Sequence, residues 1–117
     1  MEVMEYVTQK NPQIAKPYLE TVISYLNDKA PRVKWEAGRV IANTAQSYPQ
    51  ETAKAISALL ENAKDKGTVV RWSSALALSA IFQANEKIRS ALKTKIENIL
   101  KTEKNNGVRK IYLKTLK

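Results

Sequence analysis

Offset by 37 residues, the chain overlays on itself: Asp28, Val33, Lys34 and Trp35 fall on Asp65, Val70, Arg71 and Trp72. Asn11-Pro12-Gln13 likewise falls on Tyr48-Pro49-Gln50. After 38 more residues, Glu103, Val108 and Arg109 repeat the acid, the valine and the base at the same mutual spacing. A period of this length marks a supersecondary unit that cannot bury its apolar face alone, so neighbouring units must stack. The repeat therefore constrains architecture and leaves the ligand open.

The repeat fits within one domain, residues 1–117, because a chain of 117 residues with 44% hydrophobic content has room for one core. Apolar stretches such as Ala75 to Phe82 are too short to span a bilayer, and Met1 to Lys10 lacks a basic start followed by an apolar core. A cytoplasmic protein with no membrane partner is expected. The chain has no cysteine and no histidine. Disulfides and thiolate metal sites are thereby excluded, and the commonest general base and metal ligand are missing. No cofactor, metal or catalytic residue is expected, and the chain reads as a non-enzyme.

Apolar residues recur at three- and four-residue steps and nowhere alternate over a strand's length, so the fold class is all-α. Val22, Ile23 and Leu26 form one stripe, and Val33, Ala37, Val40 and Ile41 form the next. Asn27-Asp28-Lys29-Ala30-Pro31 separates them, with proline placed to start the second helix. Residues 11–47 make one helix pair. Residues 48–84 make a second, with helices at 49–63 and 69–83 and Gly67 supplying permissive backbone in the turn. Residues 85–117 make a third, with helices at 85–102 and from Val108 onward, the last one short. Residues 1–10 look like half a unit, which brings the expected count to about seven helices. Val3, Tyr6, Tyr112 and Leu116 are expected as exposed apolar residues that cap the core or meet another chain.

Paired helices of this period, with Asp-x4-Val-Lys/Arg at the turn, resemble HEAT repeats, and the resemblance implies an α-solenoid of about three helix pairs. It is carried by Asp28 with Lys34, Asp65 with Arg71, and Glu103 with Arg109, in each of which valine precedes the base. In that family the acids and bases form a ladder of hydrogen bonds between neighbouring turns, so the resemblance gives these six residues a structural role. The family's kink-forming proline within the first helix is absent: Glu20 stands near its place and Pro17 lies earlier. A straighter first helix is expected in consequence.

Asp28 and Asp65 are the only aspartates, and the ladder would occupy both. Glu36 and Glu97 have no second carboxylate, histidine or cysteine at a matching spacing, which removes the convergent set a catalytic site needs. Trp35 and Trp72, the only tryptophans, occupy one repeat position. At 100° per residue they lie opposite the seam of Val33, Ala37 and Ile41, on the side that a two-layer solenoid makes concave. Columns then run Trp35, Trp72, Lys110; Arg39, Leu76, Lys114; and Ala42, Ser79, Lys117. The competing structural reading, that each indole seals the groove between adjacent second helices, is preferred because large aromatics are mostly buried.

Charge is unevenly spread. Residues 1–86 carry 10 basic and 9 acidic groups, whereas residues 87–117 carry 10 basic and 2 acidic, hence +8 of the total +9. Lys110, Lys114 and Lys117 share one helix face, while Lys87, Lys93, Lys101 and Lys104 fall on the outer arc of the preceding helix. Such lysines either solvate a terminal unit or attract phosphates or an acidic protein. The leading expectation is a scaffold that presents Trp35, Arg39, Trp72 and Leu76 to a protein or peptide partner. The alternative is a nucleic-acid binder using Lys110, Lys114, Lys117 and Arg39. A remote third reading is a HEAT-like alkylation-repair DNA glycosylase, although Glu36 and Ser73 after the tryptophans do not give the spacing that would transfer a catalytic role.

Overall fold

Prolines and caps set where the helices begin. The computed structural model describes residues 7–117, apart from the side chains of Pro12 and Ile14. Helix α1 spans Leu19–Tyr25, α2 Pro31–Thr44, α3 Pro49–Ala53, α4 Ile56–Asn62, α5 Thr68–Ala84, α6 Arg89–Thr102 and α7 Asn106–Leu116. Short 3-10 segments at Pro12–Tyr18 and Glu86–Ile88 precede α1 and α6, and no strand occurs among the described residues. Pro31 and Pro49 open α2 and α3, where a missing N–H leaves no helical bond unmade and φ is already preset. Asn105 caps α7, its side chain accepting from the Val108 amide at 3.0 Å. Of the expected half unit, residues 7–10 are helical, while Met1 to Tyr6 lie outside the described residues.

The first element of each repeat unit is broken where continuous helices were expected. Residues Pro12–Tyr18 wind as a 3-10 helix through Pro17 before α1 begins. Proline has no amide to donate and crowds the carbonyl four residues back, so the tighter winding replaces the straight first helix that the displaced proline suggested. In the second unit, Thr52 Oγ1 donates to the Tyr48 carbonyl at 2.8 Å, a back-bond that bends helices. The Lys54 and Ala55 amides then reach back only three residues, to Glu51 and Thr52, and α4 restarts from Ala55.

Helix α5 is the hub. It packs against α2 on one side and α7 on the other, while α4 and α6 also rest on it. Ala37, Val40 and Ile41 of α2 meet the core that Ala75, Ala77, Leu78 and Ile81 of α5 share with Val108 and Tyr112 of α7. Leu26, Leu59 and Ile96 close the same cluster from α1, α4 and α6. Tyr112, expected at the surface, is fully buried, and Leu116 is half-buried. The repeat itself explains the correction, since Tyr112 occupies the position of Ala37 and Ser74, which face the seam.

Side-chain ties cross between units. The Asn62 amide group donates to the Leu26 carbonyl at 2.9 Å, and that of Asn85 to the Pro49 carbonyl at 3.2 Å. Ser73 Oγ of α5 donates to the Trp35 carbonyl of α2 at 2.7 Å. There the two helices approach so closely that a Cβ on Gly38 would overlap Ser73 Oγ. Alanine is favoured over glycine in a helix by about 1 kcal/mol, yet Gly38→Ala should destabilise the protein by about 1–2 kcal/mol through overpacking. In a Ser73→Ala background the nearest atom of residue 73 is its Cβ, 3.4 Å away, and the same change should become neutral or stabilising. Urea denaturation of the double-mutant cycle checks this, and equal effects in both backgrounds would contradict the close approach.

Candidate functional site

The turns between paired helices repeat one arrangement. Asp28 Oδ2 accepts the Ala30 amide at 2.9 Å, Asp65 Oδ2 the Gly67 amide at 2.8 Å, and Glu103 Oε2 the Asn105 amide at 3.1 Å. Each acceptor thereby fixes the residue that caps the following helix. Gly67 has φ −84° and ψ 125°, and no glycine among the described residues has positive φ. Its expected role as a permissive backbone position is therefore not used; what it provides is room, since a Cβ would lie 3.2 Å from Asp65 Oδ2.

The second carboxylate oxygen reaches the preceding unit. Lys34 Nζ donates to Asp65 Oδ1 at 3.3 Å, and Arg71 Nε donates to Glu103 Oε1 at 2.9 Å. Arg71 is also held in its own turn, where Nη1 donates to the Asp65 and Lys66 carbonyls at 3.0 and 3.1 Å. Arg109 does the same through the Leu100 and Glu103 carbonyls at 2.6 and 3.0 Å. Asp28 accepts from its own turn, through Ala30. Burial works to raise the pKa of Asp65, but the Gly67 amide and the Lys34 ammonium outweigh it and hold the carboxyl below its ordinary value. Burial, with the nearby Glu103 charge adding to it, pushes the Tyr112 phenol above its ordinary value.

The outward side of α2, α5 and α7 carries the other sequence-selected residues. Trp35, Arg39, Trp72 and Leu76 are half-buried, whereas Lys110, Lys114 and Lys117 are exposed. Trp72 packs against the core, and the Arg39 guanidinium lies over its ring at 5.3 Å from the centroid, a cation–π contact. Trp35 Nε1 is buried without a hydrogen-bond partner, as are Ser79 Oγ and Tyr112 Oη. Ser79 thus leaves the surface column in which it was expected, and Ala42 packs against the core. The helical register aimed both outward because it treats each helix as isolated.

Two further features were not anticipated from sequence. Glu36 is buried and accepts from Arg32 Nε at 2.9 Å, a pairing readable in hindsight from the i, i+4 spacing. A groove of about 760 Å³ opens between α4 and α6, at the Asp65, Arg71 and Glu103 end of the turns. Among the described residues no group of three or more His, Cys, Asp or Glu could hold a metal ion, and no helix is long and apolar enough to cross a membrane. Comparison with known proteins finds no family model, no curated protein and no solved structure that matches the chain.

The two cross-unit pairs differ in burial, and their deletion should differ accordingly. The Glu103 side chain is 3% exposed and that of Asp65 16%. Arg71→Met strands a buried carboxylate and should cost about 3–5 kcal/mol, whereas Lys34→Met should cost about 1 kcal/mol or less. Denaturant titration of both variants checks the order, which equal losses would contradict. Because the folded pKa of Asp65 lies below its ordinary value of 3.8, its stabilisation is present above that pH and is lost as pH falls through the folded pKa. The stability gap between the native chain and Asp65→Asn should therefore close on acidification below about pH 4, as melting curves across a pH series would register.

Proposed function

We propose that the chain is a non-catalytic, HEAT-like α-solenoid that serves in the cytoplasm as a scaffold, its second helices presenting one surface to a protein or peptide partner. The architecture is supported by the repeated turn contacts and by the consecutive packing of α2, α5 and α7. The observation that carries the choice of partner is the state of the two tryptophans. Trp72 lies under the Arg39 guanidinium and packs against the core, and the indole nitrogen of Trp35 is buried. Both rings are half-buried, which disfavours stacking on an unpaired base. What the surface offers is a half-buried apolar and cationic patch of Arg39, Trp72 and Leu76, of the kind that anchors protein interfaces.

A nucleic-acid reading is favoured by one observation, the exposure of Lys110, Lys114 and Lys117 within the strongly basic residues 87–117. The glycosylase reading draws no support from Glu36, which is buried and paired with Arg32.

A photo-cross-linking residue at Leu76, irradiated in cell extract, should give a discrete protein adduct that Arg39→Glu abolishes, while the same group at exposed Lys93 should not. Titration of labelled single-stranded and duplex DNA over a salt series, with tryptophan emission followed in parallel, supplies the opposing test. Tight, salt-sensitive DNA binding with tryptophan quenching, or cross-links to nucleic acid at Leu76, would reject the scaffold in favour of the nucleic-acid reading.

A further inference from the structure

Helices α4 and α6 both lean on α5 without packing closely on each other, and the groove of about 760 Å³ lies between them. The preceding interval, between α1 and α4, is bridged where Asn62 Nδ2 reaches the Leu26 carbonyl. In the next unit the counterparts of these residues are Leu100 and Ala63, and leucine has no donor to offer the Ala63 carbonyl. The sequence change that removes the bridge coincides with the place where the interval stands open.

The floor of this groove includes Leu60, Ala63 and Ile99, and Ser57, Asn98 and Thr102 add polar groups. Its inner end is electrically settled, because Asp65 is paired with Lys34 and Glu103 with Arg71. At the rim, Lys64, Lys95 and Lys104 are exposed and take part in no ion pair among the described residues, and Glu61 is the one exposed acid lining the groove. An apolar floor under a rim of unpaired positive charge complements a ligand that is apolar at its centre and anionic at its edges. The volume suits a few side chains and is too small for a whole docked helix. A bare phosphate backbone would answer the lysines and leave the floor unfilled.

We propose that the groove between α4 and α6 binds a short acidic segment of a partner protein, one or two large apolar side chains seated on Leu60 and Ile99 and carboxylates facing Lys64, Lys95 and Lys104. This takes from the scaffold reading only the idea of a protein ligand, and it shares no residue with the patch on α2 and α5.

The test is selection of a random peptide library on the full chain, followed by fluorescence anisotropy with synthetic peptides of the enriched sequences. Enriched peptides should combine glutamate or aspartate with a leucine-sized residue, and their binding should perturb amide resonances at residues 57–64 and 95–104. The surface triple variant Lys64→Glu, Lys95→Glu, Lys104→Glu should weaken binding by about tenfold or more, while Arg39→Glu should leave it unchanged. Failure to enrich acidic peptides, binding that survives the triple variant, or full displacement by millimolar inorganic phosphate would overturn the proposal. If Arg39→Glu abolishes binding and the triple variant does not, the peptide site belongs to the α2–α5 patch, and this proposal fails while the scaffold reading stands.

Discussion

Close approach along helix α5 sets the limits within which the helices around it pack. Helix α5 is approached by α2, α3, α4, α6 and α7, and its buried positions run Val70, Ser73, Ser74, Ala75, Ala77, Leu78, Ser79 and Ile81. Most of these are small. Five helices can crowd one helix only if its side chains let the backbones approach, and the same limit appears reciprocally in α2, where Gly38 faces Ser73. The larger residues among them, Val70, Leu78 and Ile81, fill the spaces between neighbours. Small residues therefore set the spacing of the layers, and the few large ones stabilise the arrangement at that spacing.

Against this packing the charged contacts at the turns act mainly as a register. Each acid fixes the amide that starts the next helix with one oxygen, and in two of three turns accepts from the preceding unit with the other. A buried pair such as Arg71–Glu103 contributes little net stability beyond what an apolar pair would give, because desolvation offsets much of its attraction. What it contributes is discrimination, since a slip of α5 against the turn of α6 and α7 would leave a carboxylate buried and unpaired. Arg71 strengthens that discrimination by bonding two carbonyls of its own turn as well, so the guanidinium is oriented before it meets Glu103.

How much was legible follows from this division. The all-helical class, the placing of α2, α5 and α7 and the turn residues were readable because each repeats a chemical requirement at a fixed spacing. The breaks in the first elements were less so: Pro17 announces one, but Thr52 bends the second through a hydroxyl bond that helical periodicity does not register. Ser79 reads as outward because rotation at 100° per residue assumes one buried side per helix, whereas Tyr112 reads as exposed because it sits on the short last helix. For Tyr112 the repeat holds the better signal, since its counterparts are the seam residues Ala37 and Ser74. The groove between α4 and α6 is not legible in sequence alone, since Leu100 gains significance only once its counterpart Asn62 is seen to bond the Leu26 carbonyl.

The lysine-rich character of residues 87–117 has two physical explanations, and placement separates them. Lysines on the outward side of α6, such as Lys93, keep a helix with only two buried positions, Leu92 and Ile96, wetted on its remaining faces. That explanation needs no ligand and suits a helix whose apolar stripe is narrow. It does not extend to the groove rim. Lys64 lies outside the basic region, at the C-terminal end of α4, and converges with Lys95 and Lys104 from the opposite wall onto Leu60 and Ile99. Solvation would spread these charges apart to lower their mutual repulsion, whereas the fold draws them around an apolar floor. Convergence of like charge from two separate repeat units is a cost that an anionic ligand would offset.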